Sequence, residues 1–200
     1  LLLLLFAFKS TAVQDTAVVE TWYRPEFAAS GRVALADNPA KLYEIQGEPE
    51  DIDLYKELEG SIYWRDFTQT EHYDWLCENA DLKNFIDYMA VLLYIDNGDG
   101  AFNGNNWRVW RARETDDQNE YADGRWRFML YDNDFALAFR PDEGGAEKNT
   151  LEQVRNIDWG WGLLFNKLME NEQFKAQFIN TFMDLRNTSF CPEEALETLD

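Results

Sequence analysis

DLKNFIDYMAVLLYIDNGDG (81–100), NNWRVWRAR (105–113) and GRWRFMLYDND (124–134) decide how this chain folds. In the first stretch Leu82, Phe85, Ile86, Met89, Leu92 and Leu93 recur at helical spacing, and Asp81 is suited to cap the helix they form. The helix should end between Tyr94 and Asp96, because Asn97, Gly98 and Gly100 favour turn geometry. A polar loop, DNGDGAFNGNN (96–106), follows it. The other two stretches read as strands, Trp107 to Arg113 and Arg125 to Tyr131, joined by the hydrophilic ETDDQNEYADG (114–124) into a hairpin with a long exposed loop. The second strand runs directly into Asp132, Asn133 and Asp134.

This order has a chemical consequence. A hairpin between two loops folds the chain back, so the loop bearing Asp99, Asn105 and Asn106 and the turn bearing Asp132 and Asp134 can end at one edge of a sheet. Asp and Asn oxygens are the ligands that hard Mg²⁺ accepts, and phosphoryl transfer asks for little more than such ligands and a carboxylate to orient the acceptor. The same residues are also the ordinary material of turns, so spacing alone leaves both readings open. An EF-hand is excluded, since a frame starting at Asp96 puts Gly98 and Gly100 at ligand positions, and one starting at Asp99 puts Trp110 where the bidentate Glu belongs. No Walker-type phosphate loop is present.

Working outward, Phe165, Leu168 and Met169 begin one apolar stripe and Phe174, Phe178, Phe182 and Leu185 another, both expected to be packing faces of helices. A last helix is expected from Pro192 to Leu199. Residues 11–60 show no firm period and contain Pro25, Pro39 and Pro49 as breakers. The opening LLLLLFAF is far short of the roughly 20 apolar residues that span a bilayer, so no membrane insertion is expected of it. It reads as a buried strand in preference to the remainder of a signal, and the chain as a piece of a longer protein.

The composition sets further bounds. With 14 Phe, 9 Tyr and 8 Trp in 200 residues, the chain has the aromatic content that disordered sequences lack. Its 38 acidic against 18 basic residues, net −20, repel phosphate backbones and anionic lipid, which argues against nucleic acid as a partner. A nucleotide would bind only with local relief, most simply a divalent cation. His72 is the single histidine, and Cys77 and Cys191 have no partner at metal-ligand spacing. Zinc sites and histidine-based nucleophilic catalysis are therefore disfavoured, and general-base work falls to a carboxylate.

The quoted stretches resemble the heart of the CotH (spore-coat protein H) kinase family. The matching elements are Asn97-Gly98-Asp99, Gly104-Asn105-Asn106-Trp107, Arg125-Trp126-Arg127-Phe128 and Tyr131-Asp132-Asn133-Asp134, supported by LLFNKLMENEQFKAQFINTFMDLRNTSFCPE (163–193) and KLYEIQG (41–47). The resemblance covers roughly residues 40–200. It implies an α+β, atypical protein-kinase-like fold, mainly the helical C-terminal lobe with a central β-hairpin at the active site. Residues 1–40 would be a partial N-terminal lobe and 41–200 the C-terminal lobe. It further implies Mg²⁺-dependent phosphoryl transfer from ATP to a protein acceptor such as a coat or surface protein, in a bacterial, secreted or spore-surface setting. Asp99 would be the catalytic Asp, Asn105 and Asn106 nucleotide-site amides with Asn106 also a metal ligand, and Asp132 and Asp134 the Mg²⁺ carboxylates.

Two departures from the family pattern accompany this reading. The stretch from Asp99 to Asn105 is about two residues longer than usual, enough to carry Asp99 several ångströms from the amides unless the extra residues bulge away. The other is the N-terminal lobe: only about forty residues precede the Leu-Tyr segment, without the strand hairpin that covers ATP in the family. In FAFKSTAVQDTAVVE (6–20) there is only an echo of the family's phosphate-contacting Lys strand and following helix, with Lys9 and Glu20 in the pair positions. Activity is left open by the short nucleotide lobe. The alternative is a non-catalytic surface or adhesion module of the same fold; carbohydrate binding through the many Trp is the weakest reading, because those Trp lie where packing wants them.

Overall fold

The computed structural model describes residues 16–21, 43–46, 49–104, 106–137 and 147–197. Expectations placed on Leu1–Phe8, Lys9 and Asn105 lie outside the described residues. In chain order come β1 (Thr16–Thr21), β2 (Tyr43–Gln46), α1 (Pro49–Trp64), α2 (Thr70–Asn79), α3 (Leu82–Tyr94), a 3-10 turn (Ala101–Asn103), β3 (Trp107–Ala112), β4 (Arg127–Leu130), α4 (Thr150–Arg155), α5 (Gly160–Leu168), α6 (Glu172–Asn187) and α7 (Pro192–Glu197). The fold is α+β: the strands form one antiparallel four-stranded sheet in the order β2-β1-β3-β4, with helices packed against it. No helix among the described residues is long and apolar enough to cross a membrane.

The expected hairpin is present, with Trp107 opposite Leu130 and Val109 opposite Phe128. One expectation is corrected: Thr16–Thr21 is a strand paired with β3, not the helix that the resemblance implies after Lys9. Its Val-Val-Glu-Thr run has the β-branched content that favours a sheet over a helix.

α1 begins on Pro49, which needs no donor at a first helical position, and carries Glu50 and Asp51 in its first turn, where the helix dipole favours acids. Tyr55, Leu58 and Ile62 form its buried face. Asp51 is buried too, and reaches Arg111 at 3.6 Å and Arg113 at 3.1 Å, pinning the helix to β3. Between helices and sheet lies an aromatic core. Trp161 meets Phe128 edge to face at 4.9 Å and Trp107 at 5.6 Å, while Tyr55 stacks on Trp107 at 6.1 Å. Trp107, Trp126 and Trp161 are thus committed to packing.

The part of the fold that matters most for the site is how α3 is fastened alongside β4. Asp81 caps α3 by accepting from the Asn84 backbone N–H, while its own backbone N–H donates to Trp126. The Asn84 side chain accepts from the Phe128 N–H at 2.6 Å and donates to the Phe128 carbonyl at 3.2 Å, occupying the outer edge of the sheet. Arg127, buried, donates from Nε to Asp81 at 3.0 Å and makes a two-pronged bond to Asp123 at 2.8 and 2.7 Å. Partial burial pushes the Asp123 carboxyl up, but bonds from Arg127 and Arg125 outweigh it and hold it at about 2.

Replacing Arg127 by Met should therefore leave Asp81 without its cation and Asp123 with Arg125 alone. A loss of about 3–5 kcal/mol is expected for such a one-sided deletion, read as a lowered midpoint in urea denaturation. An unchanged midpoint would show that the clamp contributes nothing.

Candidate active site

Fastened at its start, the pair α3 and β4 determines where the two acidic loops arrive. Ala80 and Trp126 bridge in parallel, so helix and strand leave the same point in the same direction. From Asn84 to Asn97 the chain advances roughly 20 Å at helical rise. From Phe128 to Asn133 it advances roughly 17 Å at strand rise. The loops must therefore meet, and they do: Asn97 Nδ2 donates to Asn133 Oδ1 at 2.8 Å.

Asn97 is fully buried. Its side-chain oxygen accepts the Asp99 backbone N–H at 3.0 Å, so one amide both shapes the turn that presents Asp99 and ties it to the Asp132–Asp134 turn. The chain beyond is drawn in as well, by the Leu137 N–H donating to the Ile95 carbonyl at 2.6 Å and by the Thr150 hydroxyl donating to Asp96. Replacing Asn97 by Ala leaves Asn133 without its donor and the Asp99 N–H without its acceptor. A loss of about 1–3 kcal/mol is expected, measurable by chemical denaturation; wild-type stability would mean that the amide does not hold the loops.

The extra residues after Asp99 are absorbed locally. Ala101–Asn103 close into a 3-10 turn that sends Ala101 and Phe102 into the core, so the bulge goes inward. Gly104 then reverses the chain with φ 79°, under the ring of Trp159, where a Cβ would stand 2.4 Å from the indole. The register lost in the longer loop is thereby recovered, and Asn106 Nδ2 donates to Asp99 Oδ2 at 2.9 Å.

Three carboxylates share this edge. Asp132 and Asp134 are exposed and Asp99 is half-buried. The Asp132 carboxyl is raised above its ordinary value, first by its hydrogen bond with Asp134, then by desolvation, then by the negative charges of Asp134 and Asp99. Asp99 and Asp132 thus lie close enough to feel each other. Asp96 (φ 55°), Asn106 (φ 47°), Asp132 (φ 49°) and Leu137 (φ 56°) are the non-glycine residues held in left-handed backbone among the described ones, and all flank this edge. Asn and Asp tolerate that region best, yet each still costs about 1–3 kcal/mol, which the surrounding bonds must offset.

Among the described residues no group of three or more His, Cys, Asp or Glu side chains could hold a metal by itself. Mg²⁺ does not need one, because it is commonly held by one or two carboxylates together with phosphate oxygens and water. The donor set fits that pattern. Asn106 spends its N–H on Asp99, which leaves its amide oxygen available to a cation. The crowding that raises the Asp132 carboxyl is also what a divalent cation relieves.

His72 stands elsewhere, its Nδ1 accepting the Asp66 backbone N–H at 3.1 Å, and Cys77 and Cys191 are free thiols. Sequence reasoning brought together Asp99, Asn106, Asp132 and Asp134 but missed Asn97 and Asn133 as the fastening between them. The signal was present: an Asn on the last polar turn of a helix and another between two Asp at a strand end.

A family model described as CotH kinase protein matches residues 31–200. No curated protein and no solved structure gives a match.

Proposed function

This chain belongs to the CotH kinase family, and on that premise we propose that it catalyses Mg²⁺-dependent transfer of the terminal phosphoryl group of ATP to a hydroxyl of a protein acceptor. The observation that carries this reading is the convergence of Asp99, Asn106, Asp132 and Asp134 at one edge, held by the 2.9 Å Asn106–Asp99 bond and by the 2.8 Å Asn97–Asn133 bond that joins their two loops.

Bound Mg²⁺ supplies charge neutralisation for the phosphates. Asp132 and Asp134 would hold it with their carboxylates and Asn106 with its amide oxygen. Asp99, oriented by Asn97 and Asn106, accepts the proton of the acceptor hydroxyl as the new O–P bond forms. The bond from that phosphorus to the bridging oxygen breaks, and ADP leaves with the electron pair. Family membership is also the support for an exported or spore-surface setting and for coat or surface proteins as acceptors.

The test is incubation of the protein with ATP labelled in its terminal phosphate and a casein-like acceptor, with Mg²⁺ or with chelator. Label on the acceptor or on the protein itself only when Mg²⁺ is present supports the reading. Nucleotide binding with no transfer to any acceptor would favour the non-catalytic module.

A further inference from the structure

Between the two residues that shape and present the catalytic loop, Asn97 and Asp99, stands Gly98. A Cβ built on it would lie 2.1 Å from Lys148 Nζ and 3.1 Å from Lys148 Cε. The ammonium is therefore pressed against the backbone of the turn, in space that exists because residue 98 has no side chain. Lys148 is delivered from the segment that leads into α4. Next to it, Asn149 caps that helix by accepting the Glu152 N–H, and Thr150 is bonded to Asp96 at the end of α3.

In a chain of net charge −20, acids are abundant. Yet among the described residues Lys148, half-buried, makes no hydrogen bond or ion pair, although it touches the neighbour of Asp99. Holding an ammonium partly out of water without a counter-ion is unfavourable, so the position is suited to an anion that arrives with a ligand. The arrangement also answers a need of the proposed reaction, on which this inference rests. Asp99, Asp132 and Asp134 all repel a phosphoryl group whose negative charge is spread over its outer oxygens. A metal at Asp132 and Asp134 relieves the repulsion on one side and leaves the Asp99 side unrelieved.

We propose that Lys148 is the residue that binds the terminal phosphate of the nucleoside triphosphate from the Asp99 side of the site. A lysine suits this task, because a compact charge on a flexible stem can follow the phosphate as it moves.

The test compares binding of a non-hydrolysable triphosphate analogue with binding of the diphosphate, both with Mg²⁺, by calorimetry. Thermal midpoints establish that each variant is folded. Lys148→Met should weaken the triphosphate by about 10- to 100-fold, the loss of one charge-assisted contact, and leave the diphosphate within about twofold. Lys148→Arg should restore most of the difference. Gly98→Ala, whose methyl displaces the ammonium while the lysine remains, should reproduce part of the loss. Equal weakening of both nucleotides in folded variants, or no weakening of either, overturns the proposal. A wild-type protein that binds neither nucleotide would instead bring down the kinase reading itself, and this inference with it.

Discussion

Asp132→Asn should reduce Mg²⁺-dependent nucleotide affinity by at least ~100-fold, more than loss of a supporting residue around a metal ordinarily costs, while leaving the unliganded protein as stable as wild type or slightly more so. The two halves of this expectation have a single cause. Asp132 carries a carboxyl pushed upward by Asp134 and Asp99, so in the free protein its charge is a burden. Removing it relieves repulsion. On the proposed reading the same charge would be the main attraction for bound Mg²⁺, which an amide cannot supply. Asn is the appropriate replacement because residue 132 sits at φ 49°, where Asn is tolerated and Ala would add backbone strain. Equal nucleotide affinity in the two proteins, titrated with and without Mg²⁺, would contradict the assignment.

Asp99→Asn should behave differently. Nucleotide affinity is expected to change by no more than about twofold, whereas turnover should fall by about 100- to 10,000-fold, the range that a general base contributes. Structure is preserved in this variant. The partner of Asp99 is an amide, Asn106 Nδ2 at 2.9 Å, and an Asn at 99 can still offer that amide an oxygen. The Asp99 backbone N–H continues to donate to Asn97. What disappears is the ability to take a proton from the acceptor hydroxyl. Turnover of the variant near the wild-type rate, measured at saturating ATP and acceptor, would remove Asp99 from the reaction.

The contrast between these variants follows from how the site is built, and much of that was legible beforehand. The helix 82–94 was readable from its Asp81 cap to within two residues of its end, because its apolar spacing is strong and Asp81 and Asn97 bracket it with cap and turn chemistry. The hairpin followed from two aromatic-rich runs around a hydrophilic loop. α1 and α2 were not legible. In α1 the buried apolar residues are only Tyr55, Leu58 and Ile62, and its hold on the sheet is the Asp51 pair with Arg111 and Arg113, which local pattern cannot show.

The longer loop after Asp99 is a similar case. Its length suggested displacement of Asp99 from the amides, but the outcome depended on whether Phe102 could be buried. That burial needs the close approach of α5, where Gly162 leaves room beside the Phe102 carbonyl. Lys148 and Asn133 were hidden for the same reason: their contacts with Gly98 and Asn97 join segments far apart in the chain. Turn and helix chemistry is local and shows in the sequence, while fastenings between turns depend on the assembled fold.

The most direct measurement is a crystal structure with Mn²⁺ and a non-hydrolysable ATP analogue, with the metal located by its anomalous signal. The account predicts one Mn²⁺ within bonding distance of carboxylate oxygens of Asp132 and Asp134 and of the Asn106 amide oxygen, bridged to the analogue's phosphates, with its terminal phosphate facing Asp99. A nucleotide bound elsewhere, or a metal peak remote from Asp132, would contradict it.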